Sequence, residues 1–591
     1  MGIPSYFSYI IKNHSNIIRS LTFHTKQAKT IFHSLYMDCN SIVYDVVHVL
    51  EKTTKYTRET NAQFEQTIIQ QVIAKIREHI ACISPKNVVY IAFDGVAPLA
   101  KMKQQRNRRY KSAYMALVNF DDVGPRLRDK PLDNKWDTVS ITPGTEFMKK
   151  LTKQIRDEFI PRRFLNVKTL IVSASDEPGE GEHKMFQYIR ENVGSHENVA
   201  VYGLDSDLIM LSIFHSFSCR NIYVCREAPQ FAKNILPSNI RFGENELMFL
   251  DAQILSLSIL NEMKCVYKDK MRIYDYVFMC FFLGNDFLPH FPAFNIRRNG
   301  MQQIIDIYSN IMGKYPDRFF IQKDTFEIQW KWVNLFIKEL AELEHSFLVE
   351  EYTYRNKMSN RKWSENTPEE REIAFQNAPM IYRGDEHYIC PTEEGWEDRY
   401  YRIICKPYSK FAVEATEGRL VGKSDTEVQT KPVEHTPELI NKMCASYLEM
   451  LEWVLSYYIS GKCSLRKAYE YDDVPLMKDI SRYERPKNLE NVYDEDDYKW
   501  YDVRIQQLYV MPTTYFYSPL CNPEDETVKL QRKIIENNKS KFPPYNKLKY
   551  EGGWLFKKYL WEALLKMPEI SRSELKKWEN EICSKVCEYV M

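Results

Sequence analysis

Seven carboxylates stand where this sequence could do chemistry. Asp38 closes SLYMD, Asp94 closes VVYIAFD, Asp205 and Asp207 close VAVYGLDSD, Glu180 and Glu182 lie in EPGEGEHKMFQYI, and Asp286 lies in CFFLGNDFL. A lone DxD or ExE pair is usually a solvated loop. These acids instead border apolar runs: VAVYGL and LIML around Asp205 and Asp207, VVYIAF before Asp94, FMCFFL and FLPHF around Asp286. Taking even one unpaired carboxylate out of water is costly, so several together require cations. An all-oxygen donor set selects hard ions such as Mg²⁺ or Mn²⁺, which also bind phosphate oxygens. Two such ions roughly 4 Å apart suit phosphodiester hydrolysis, and the expected substrate is a nucleic acid.

The elements that must position these acids are legible upstream of each. To about residue 310 the chain alternates short β-branched runs with longer helical patterns, the signature of an α/β domain with a parallel sheet covered by helices. Strands are expected at Leu35 to Met37, Val88 to Phe93, Thr169 to Val172 and Val199 to Gly203, each ending in a polar or glycine-containing turn. In a parallel sheet the strands point one way, so acids at their C-terminal ends gather along one rim. Glu180 and Glu182 fall at a loop-to-helix transition, and Gly284 with Asn285 predicts a tight turn holding Asp286 inward.

Directly after the Asp94 strand comes AKMKQQRNRRYKSAYMA, and from Gly95 to Phe120 there is no Asp or Glu. A solvated helix face normally mixes signs, so this run predicts another partner, and phosphate is the simplest. Lys101, Gln105, Arg108 and Arg109 fall at i, i+4, i+7 and i+8 on one helical stripe, suited to gripping a terminal 5′ phosphate beside the acids. The alternative is a basic surface helix for nonspecific adhesion.

With 591 residues, 44% hydrophobic, the chain can bury a large core. Lys and Arg number 81 against 80 Asp and Glu, so a nucleic-acid footprint must come from local patches. The 13 cysteines form no CxxC pair, which fits reduced thiols in an intracellular compartment, cytoplasmic in preference to nuclear. No apolar run reaches ~18 residues, and no membrane span is expected. The expected organisation is a catalytic α/β core over 1–350, a polar connector over 351–440 and a helical, aromatic-rich second region over 441–591.

Taken together, the blocks MGIP, MDCNS, FDGVAPLAKMKQQRNRRYKSA, ITPGTEFM, PGEGEHK, YGLDSDLIML and FFLGNDFLPH resemble, in order, the Xrn family of 5′→3′ exoribonucleases. The match is dense over the first 300 residues and looser around EWVLSYYISGKCS and QQLYVMP. The resemblance implies a 5′-nuclease (PIN-like) core with a mostly helical second region packed against it. It also implies processive, Mg²⁺-dependent removal of nucleoside 5′-monophosphates from single-stranded RNA with a 5′ monophosphate. By motif, the family's metal-binding acids fall on Asp38, Asp94, Glu180, Glu182, Asp205, Asp207 and Asp286, and its 5′-phosphate pocket on Lys101, Gln105, Arg108 and Arg109. The chain stops about where the family's catalytic core ends, which reads as a compact or divergent member. Its abundant Lys, Asn, Ile and Tyr hint at an AT-rich, viral source.

Departures are specific. Where the family stacks the 5′ bases between a histidine and a tryptophan, this chain has Tyr44, and Leu465 or Lys467. Tyr44 is the candidate stacking surface, with a plain core role as the alternative. His183 and His290 are read as structural hydrogen-bonding residues, not ligands. Rival functions are a structure-specific 5′ nuclease on DNA flaps, which FDGVAPLAKMKQQRNRR and PGEGEHK argue against, and an inactive RNA-binding scaffold, which the full set of acids argues against.

Overall fold

A computed structural model describes residues 2–590 apart from 117, 122–123, 128–134, 165, 193, 195–196, 237–239, 241, 244–245, 362, 406–435, 486–493, 519, 543–551 and 566. Its frame is a seven-stranded sheet: β1 (Ile18–Ser20), β2 (Ser34–Asp38), β3 (Val88–Ala92), β4 (Thr169–Ser173), β5 (Asn198–Tyr202), β6 (Asn221–Glu227) and β7 (Leu247–Asp251). The order across the sheet is β1-β7-β6-β5-β2-β3-β4. The run from β6 to β4 is parallel throughout, while β7 and β1 add antiparallel strands at one edge. All four strands expected from the sequence lie side by side in the parallel part. Strands β1, β6 and β7 add to them.

Alternation of side chains explains the layers. Leu35, Met37, Val89, Ile91, Ala200 and Tyr202 face one hydrophobic cluster. Tyr36, Tyr90, Ala92, Val199 and Val201 face the other. Every residue of β2 is buried, so both sheet faces are covered by helices.

Eight helices matter to the site: α1 (Tyr6–Asn13), α2 (Asn40–Thr53), α3 (Leu99–Met115), α4 (Gly181–Asn192), α5 (Asp207–Phe214), α6 (Trp330–Ser359), α7 (Pro437–Ile459) and α8 (Val503–Val510). Helices α2, α4 and α5 start just beyond the C-terminal ends of β2, β4 and β5, which brings their first turns to one rim. Helix α7 buries Tyr447, Leu451, Val454 and Tyr458 in the same cluster as Phe281, Leu283 and Phe291. The second region therefore shares its core with the segment carrying Asp286. Helix α6 runs unbroken across residue 350, where a boundary was expected, because Val333, Phe336, Ile337, Leu340 and Leu348 continue one buried stripe. Of the expected connector, residues 363–405 hold four short helices, and 406–435 lie outside the described residues.

Candidate active site

The rim gathers the acids through short, specific connections. In register, Asp38 pairs with Ala92 and Ala92 with Ser173, so the ends of β2, β3 and β4 are level. Asn40, at the start of α2, links two acids: its side-chain amide donates to Asp94 Oδ2 at 2.5 Å, and its backbone N–H donates to Asp38 Oδ1 at 3.3 Å. The Gly181 N–H, at the first turn of α4, donates to Asp94 Oδ1 at 2.7 Å. That places a helix N-terminus against the carboxylate. Gly284 adopts φ +82°, and a Cβ there would lie 2.7 Å from the His290 backbone nitrogen. The next residue, Asn285, accepts from the Phe287 and Leu288 N–H groups at 2.9 Å, and the resulting turn carries Asp286 into the cluster.

One side-chain cation sits among the acids. The Lys101 ammonium lies 2.6 Å from Glu180 Oε2 and 2.8 Å from Asp286 Oδ2. Burial alone would lower the Lys101 pKa, but Asp286, Glu180, Glu182 and Asp207 raise it well above the ordinary lysine value. Burial likewise acts to raise Asp286, and Lys101 together with other nearby cations, Arg108 among them, outweighs it and holds that carboxyl well below its usual range. Asp38, Glu182 and Asp207 are less well served. Burial, then Asp94 and Asp205, pushes Asp38 well up; burial raises Glu182 well above normal despite Lys101; and burial with Asp286 pushes Asp207 up to about 7. Even with Lys101 among them, Asp38, Glu182 and Asp207 stay raised, so the positive charge at hand is too little for these buried carboxylates. The donor set is carboxylate-rich, with His183 offering a ring nitrogen within 4.8 Å of Glu180 and Glu182 oxygens, and with its unmet negative charge it fits hard divalent cations.

All seven sequence-predicted acids are brought to this rim. Asp38, Glu180, Glu182 and Asp207 are buried, Asp94 and Asp286 half-buried, and Asp205 exposed. A cavity of about 1490 Å³ opens beside it, lined among others by Asp205, Asp286, Lys103, Arg108 and Lys111.

The basic helix behaves differently from the sequence expectation of phosphate as its general partner. Most of its cations meet backbone carbonyls. Lys103 donates to the carbonyls of Tyr469 and Tyr471 at 2.9 and 3.2 Å, and Arg106 to those of Pro568 and Lys541 at 2.9 and 3.1 Å. Lys111 donates to Ala563 O at 2.8 Å. These bonds fasten α3 to the second region. Arg109 turns to the ITPGT loop, donating to Thr142 Oγ1 and, at 3.4 Å, to Val139 O. Gln105 is buried, and its Oε1 has no hydrogen-bond partner among the described residues. Arg108 makes no hydrogen bond or ion pair among them and lines the cavity. Burial acts to lower its pKa, and Tyr44, Asp286, Asp205 and Asp94 outweigh it and raise it.

Tyr44 is 37% exposed on α2, which removes the plain-core alternative. Leu465 is buried, and its carbonyl accepts the Leu99 N–H at 2.8 Å, while Lys467 pairs with Glu449 at 2.6 Å. His290 Nδ1 lies 2.9 Å from Lys557 Nζ, a structural hydrogen bond as expected. His183 is a correction. It has no hydrogen bond at Nδ1, and its ring stacks on Tyr457 instead, at 3.6 Å between centroids. Burial lowers its pKa well below normal, so it is neutral. Sequence reasoning missed Asn40 as a bridge, although MDCNS contains it, and missed Tyr457, whose hydroxyl donates to Glu180 Oε1 at 2.8 Å.

Comparison with known proteins bears directly on this arrangement. The XRN 5′-3′ exonuclease N-terminus matches residues 1–228, which hold six of the seven acids, and the Xrn1 helical domain matches residues 266–417, which hold the seventh. The chain belongs to the XRN family. Similar curated relatives are 5′-3′ exoribonuclease 1 of Saccharomyces cerevisiae, 31% identical over 82% of this chain and 37% of that protein, and 5′-3′ exoribonuclease 2 of Gallus gallus, 24% identical over 81% of this chain and 60% of that protein. The human 5′-3′ exoribonuclease 1 is 24% identical over 81% of this chain and 29% of that protein. The chain thus spans less than two thirds of the length of the relatives it matches. Among solved structures, the catalytic core of Rad2 in complex with DNA substrate aligns over 52% of this chain and 69% of that one, at 14% identity and a TM-score of 0.29. No helix of the described residues is long and apolar enough to cross a membrane.

Proposed function

We propose that this member of the XRN family hydrolyses single-stranded RNA from a 5′ monophosphate end, 5′→3′ and processively, releasing nucleoside 5′-monophosphates. One observation carries the reading: buried carboxylates from separate segments converge around the Lys101 ammonium, beside a cavity lined by Arg108, whose guanidinium has no ion-pair partner among the described residues.

In this reading Asp38, Asp94, Glu180, Glu182, Asp205, Asp207 and Asp286 hold two Mg²⁺ or Mn²⁺ ions. Bound there, the ions supply the charge that draws phosphate oxygens together and the Lewis acidity that hydrolysis needs. The chain's own groups do the rest. Asn40 and the Gly181 N–H fix Asp94. Arg108 grips the terminal phosphate with a forked guanidinium. Lys101 holds charge between Glu180 and Asp286 and would stand beside the terminal phosphate. Arg109 acts one step removed, by holding the Thr142 loop against α3. Tyr44, exposed and near Arg108, offers the first base a stacking face. Each cleavage leaves a new 5′ phosphate that can slide to Arg108, which is the basis for processivity.

The test is degradation of one 3′-labelled single-stranded RNA bearing a 5′ monophosphate, hydroxyl or triphosphate, with Mg²⁺, beside a control carrying Asp205→Ala and Asp207→Ala. The expected result is loss of the monophosphate substrate alone, to mononucleotides, and an inert control. Equal attack on all three ends, or discrete internal cuts, would replace this reading with an endonuclease. Tyr44→Ala is expected to slow turnover and shorten processive runs; unchanged values would remove Tyr44 from the site.

A further inference from the structure

The second region reaches the acids through one clamped side chain. On α7, Trp453 and Tyr457 are one turn apart, and their rings stack at 4.9 Å and 26°. The other face of this column is closed by His183, stacked on Tyr457 at 3.6 Å and 26°. Phe287, the neighbour of Asp286, closes the edge, 5.1 Å from Trp453 and 5.6 Å from Tyr457. The far end of the column is anchored by the Trp453 indole N–H, which donates to Ser464 O at 2.6 Å. With its ring held this way, the Tyr457 hydroxyl meets Glu180 Oε1 at 2.8 Å. The other Glu180 oxygen, Oε2, is the one that meets the Lys101 ammonium.

We propose that Tyr457 is a positioning residue for the metal site: its hydroxyl holds one oxygen of Glu180 so that the other is presented to the cation. Packing alone does not call for this hydroxyl, since phenylalanine fills the same ring position. A fully buried O–H is kept only where it has an acceptor, and a carboxylate is the strongest acceptor on offer. Glu180 lies just ahead of α4, in a loop, and its side chain has three torsions to restrain. Fixing a ligand's second oxygen restricts both its direction and its denticity toward a metal. Tyr458, next in sequence, donates to a different acid, Asp207 Oδ1, at the longer distance of 3.5 Å, so the restraint on Glu180 falls to Tyr457. Glu180 lies in the part of the chain matched to the XRN N-terminus, whereas Tyr457 lies beyond both matched segments. The inference rests on the reading that these acids bind divalent cations.

The experiment uses Mn²⁺ as the probe. Free Mn²⁺ is measured by electron paramagnetic resonance over the RNA-free full chain, as wild type and Tyr457→Phe, and kcat and KM are measured on monophosphorylated RNA at limiting and saturating Mn²⁺. The expected result is about tenfold weaker Mn²⁺ binding, a matching fall in kcat at limiting Mn²⁺ that saturating Mn²⁺ reverses, and an unchanged KM. Because Tyr457 acts through Glu180, adding Tyr457→Phe to Glu180→Ala should weaken Mn²⁺ binding no further. A Tyr457→Phe chain that fails to fold, equal Mn²⁺ binding, or an equal loss in the Glu180→Ala background would each assign Tyr457 to packing and overturn the proposal. A wild-type chain that binds no Mn²⁺ would instead bring down the functional reading of the site.

Discussion

The Lys101 ammonium bridges Glu180 and Asp286, two acids 106 positions apart in the chain, at 2.6 and 2.8 Å. It joins the segment before α4 to the turn after Gly284. Lys101→Met should therefore destabilise the metal-free protein by about 3–5 kcal/mol, because it removes the ammonium from two neighbouring carboxylates held out of water. Added Mg²⁺ should recover much of that loss by binding the folded state. Melting in EDTA and in Mg²⁺ checks this; equal losses in both would mean that the ammonium and divalent cations do not serve the same acids.

Asp207 shows the opposite balance. Burial, with Asp286, pushes its carboxyl up to about 7, so its charge opposes folding in the absence of cations. Asp207→Asn removes that repulsion while keeping the shape. It is expected to melt a few degrees higher than the wild type in EDTA and to cleave RNA at an undetectable rate. An Asp207→Asn chain that melted lower in EDTA, or that still turned over, would contradict the arrangement.

Gly2 packs against the same acid. Its φ is +53°, and a Cβ would lie 1.9 Å from Asp207 Oδ1. The Gly2 N–H also donates to Asp286 Oδ1 at 3.2 Å. Gly2→Ala should therefore displace Asp207 and cut kcat at least tenfold, on the order of the loss seen when a ligand's neighbour is removed. Global melting should move by only ~1 kcal/mol, the scale of one strained backbone residue. Measuring kcat and Tm on the one variant separates the two effects, and an unchanged kcat would show that the site tolerates movement of Asp207.

How much of this was legible follows from which interactions leave a trace in sequence. Carboxylates beside apolar runs are such a trace, because burial and charge conflict unless something resolves them. The rim that gathers Asp38, Asp94 and Asp205 was therefore readable from strand ends alone. Strand β6, NIYVCRE, was not expected, although it ends in an acid, Glu227, because no apolar run follows that residue. The partners of α3 could not be read at all. Lys103, Arg106 and Lys111 donate to backbone carbonyls, and every residue type carries a carbonyl, so the acceptor has no signature. Tyr457 was hidden for a different reason: its acceptor lies 277 positions away, and only the packing of α7 brings the two together.

Glu344 on α6 offers a pH test away from the acids of the rim. Burial pushes its carboxyl from 4.5 up to about 8, although the Met477 N–H donates to it at 3.0 Å. Between those values the folded chain holds a proton that the unfolded chain has released, so stability contributed by this group falls as pH rises from about 4.5 to 8. Glu344→Gln imitates the protonated form. It should leave stability near pH 5 almost unchanged and raise it at pH 8 relative to wild type. Denaturant titrations across that range decide the matter, and parallel pH profiles for the two proteins would refute it.

The two adjacent arginines of α3 should separate recognition from architecture. Arg108 lines the cavity without an ion-pair partner among the described residues, whereas Arg109 is buried and bonded to the Val139–Thr142 loop. Loss of Arg108 removes a forked phosphate contact while breaking little structure. Arg108→Ala should therefore raise KM for 5′-monophosphate RNA and shrink its preference over 5′-hydroxyl RNA by roughly tenfold or more, the worth of a charge-assisted bond of 1.5–3 kcal/mol. Melting should hardly change. Arg109→Ala removes the donor to the Thr142 hydroxyl and the Ile141 carbonyl, although Val139 O keeps the Thr142 hydroxyl, so it should lower stability by about 1–3 kcal/mol and reduce activity on both RNA ends alike. Competition between the two end-labelled RNAs, measured beside melting curves for both variants, distinguishes these outcomes. If Arg109→Ala altered end preference and Arg108→Ala did not, the phosphate would have to be placed on the Thr142 side of the helix instead of in the cavity.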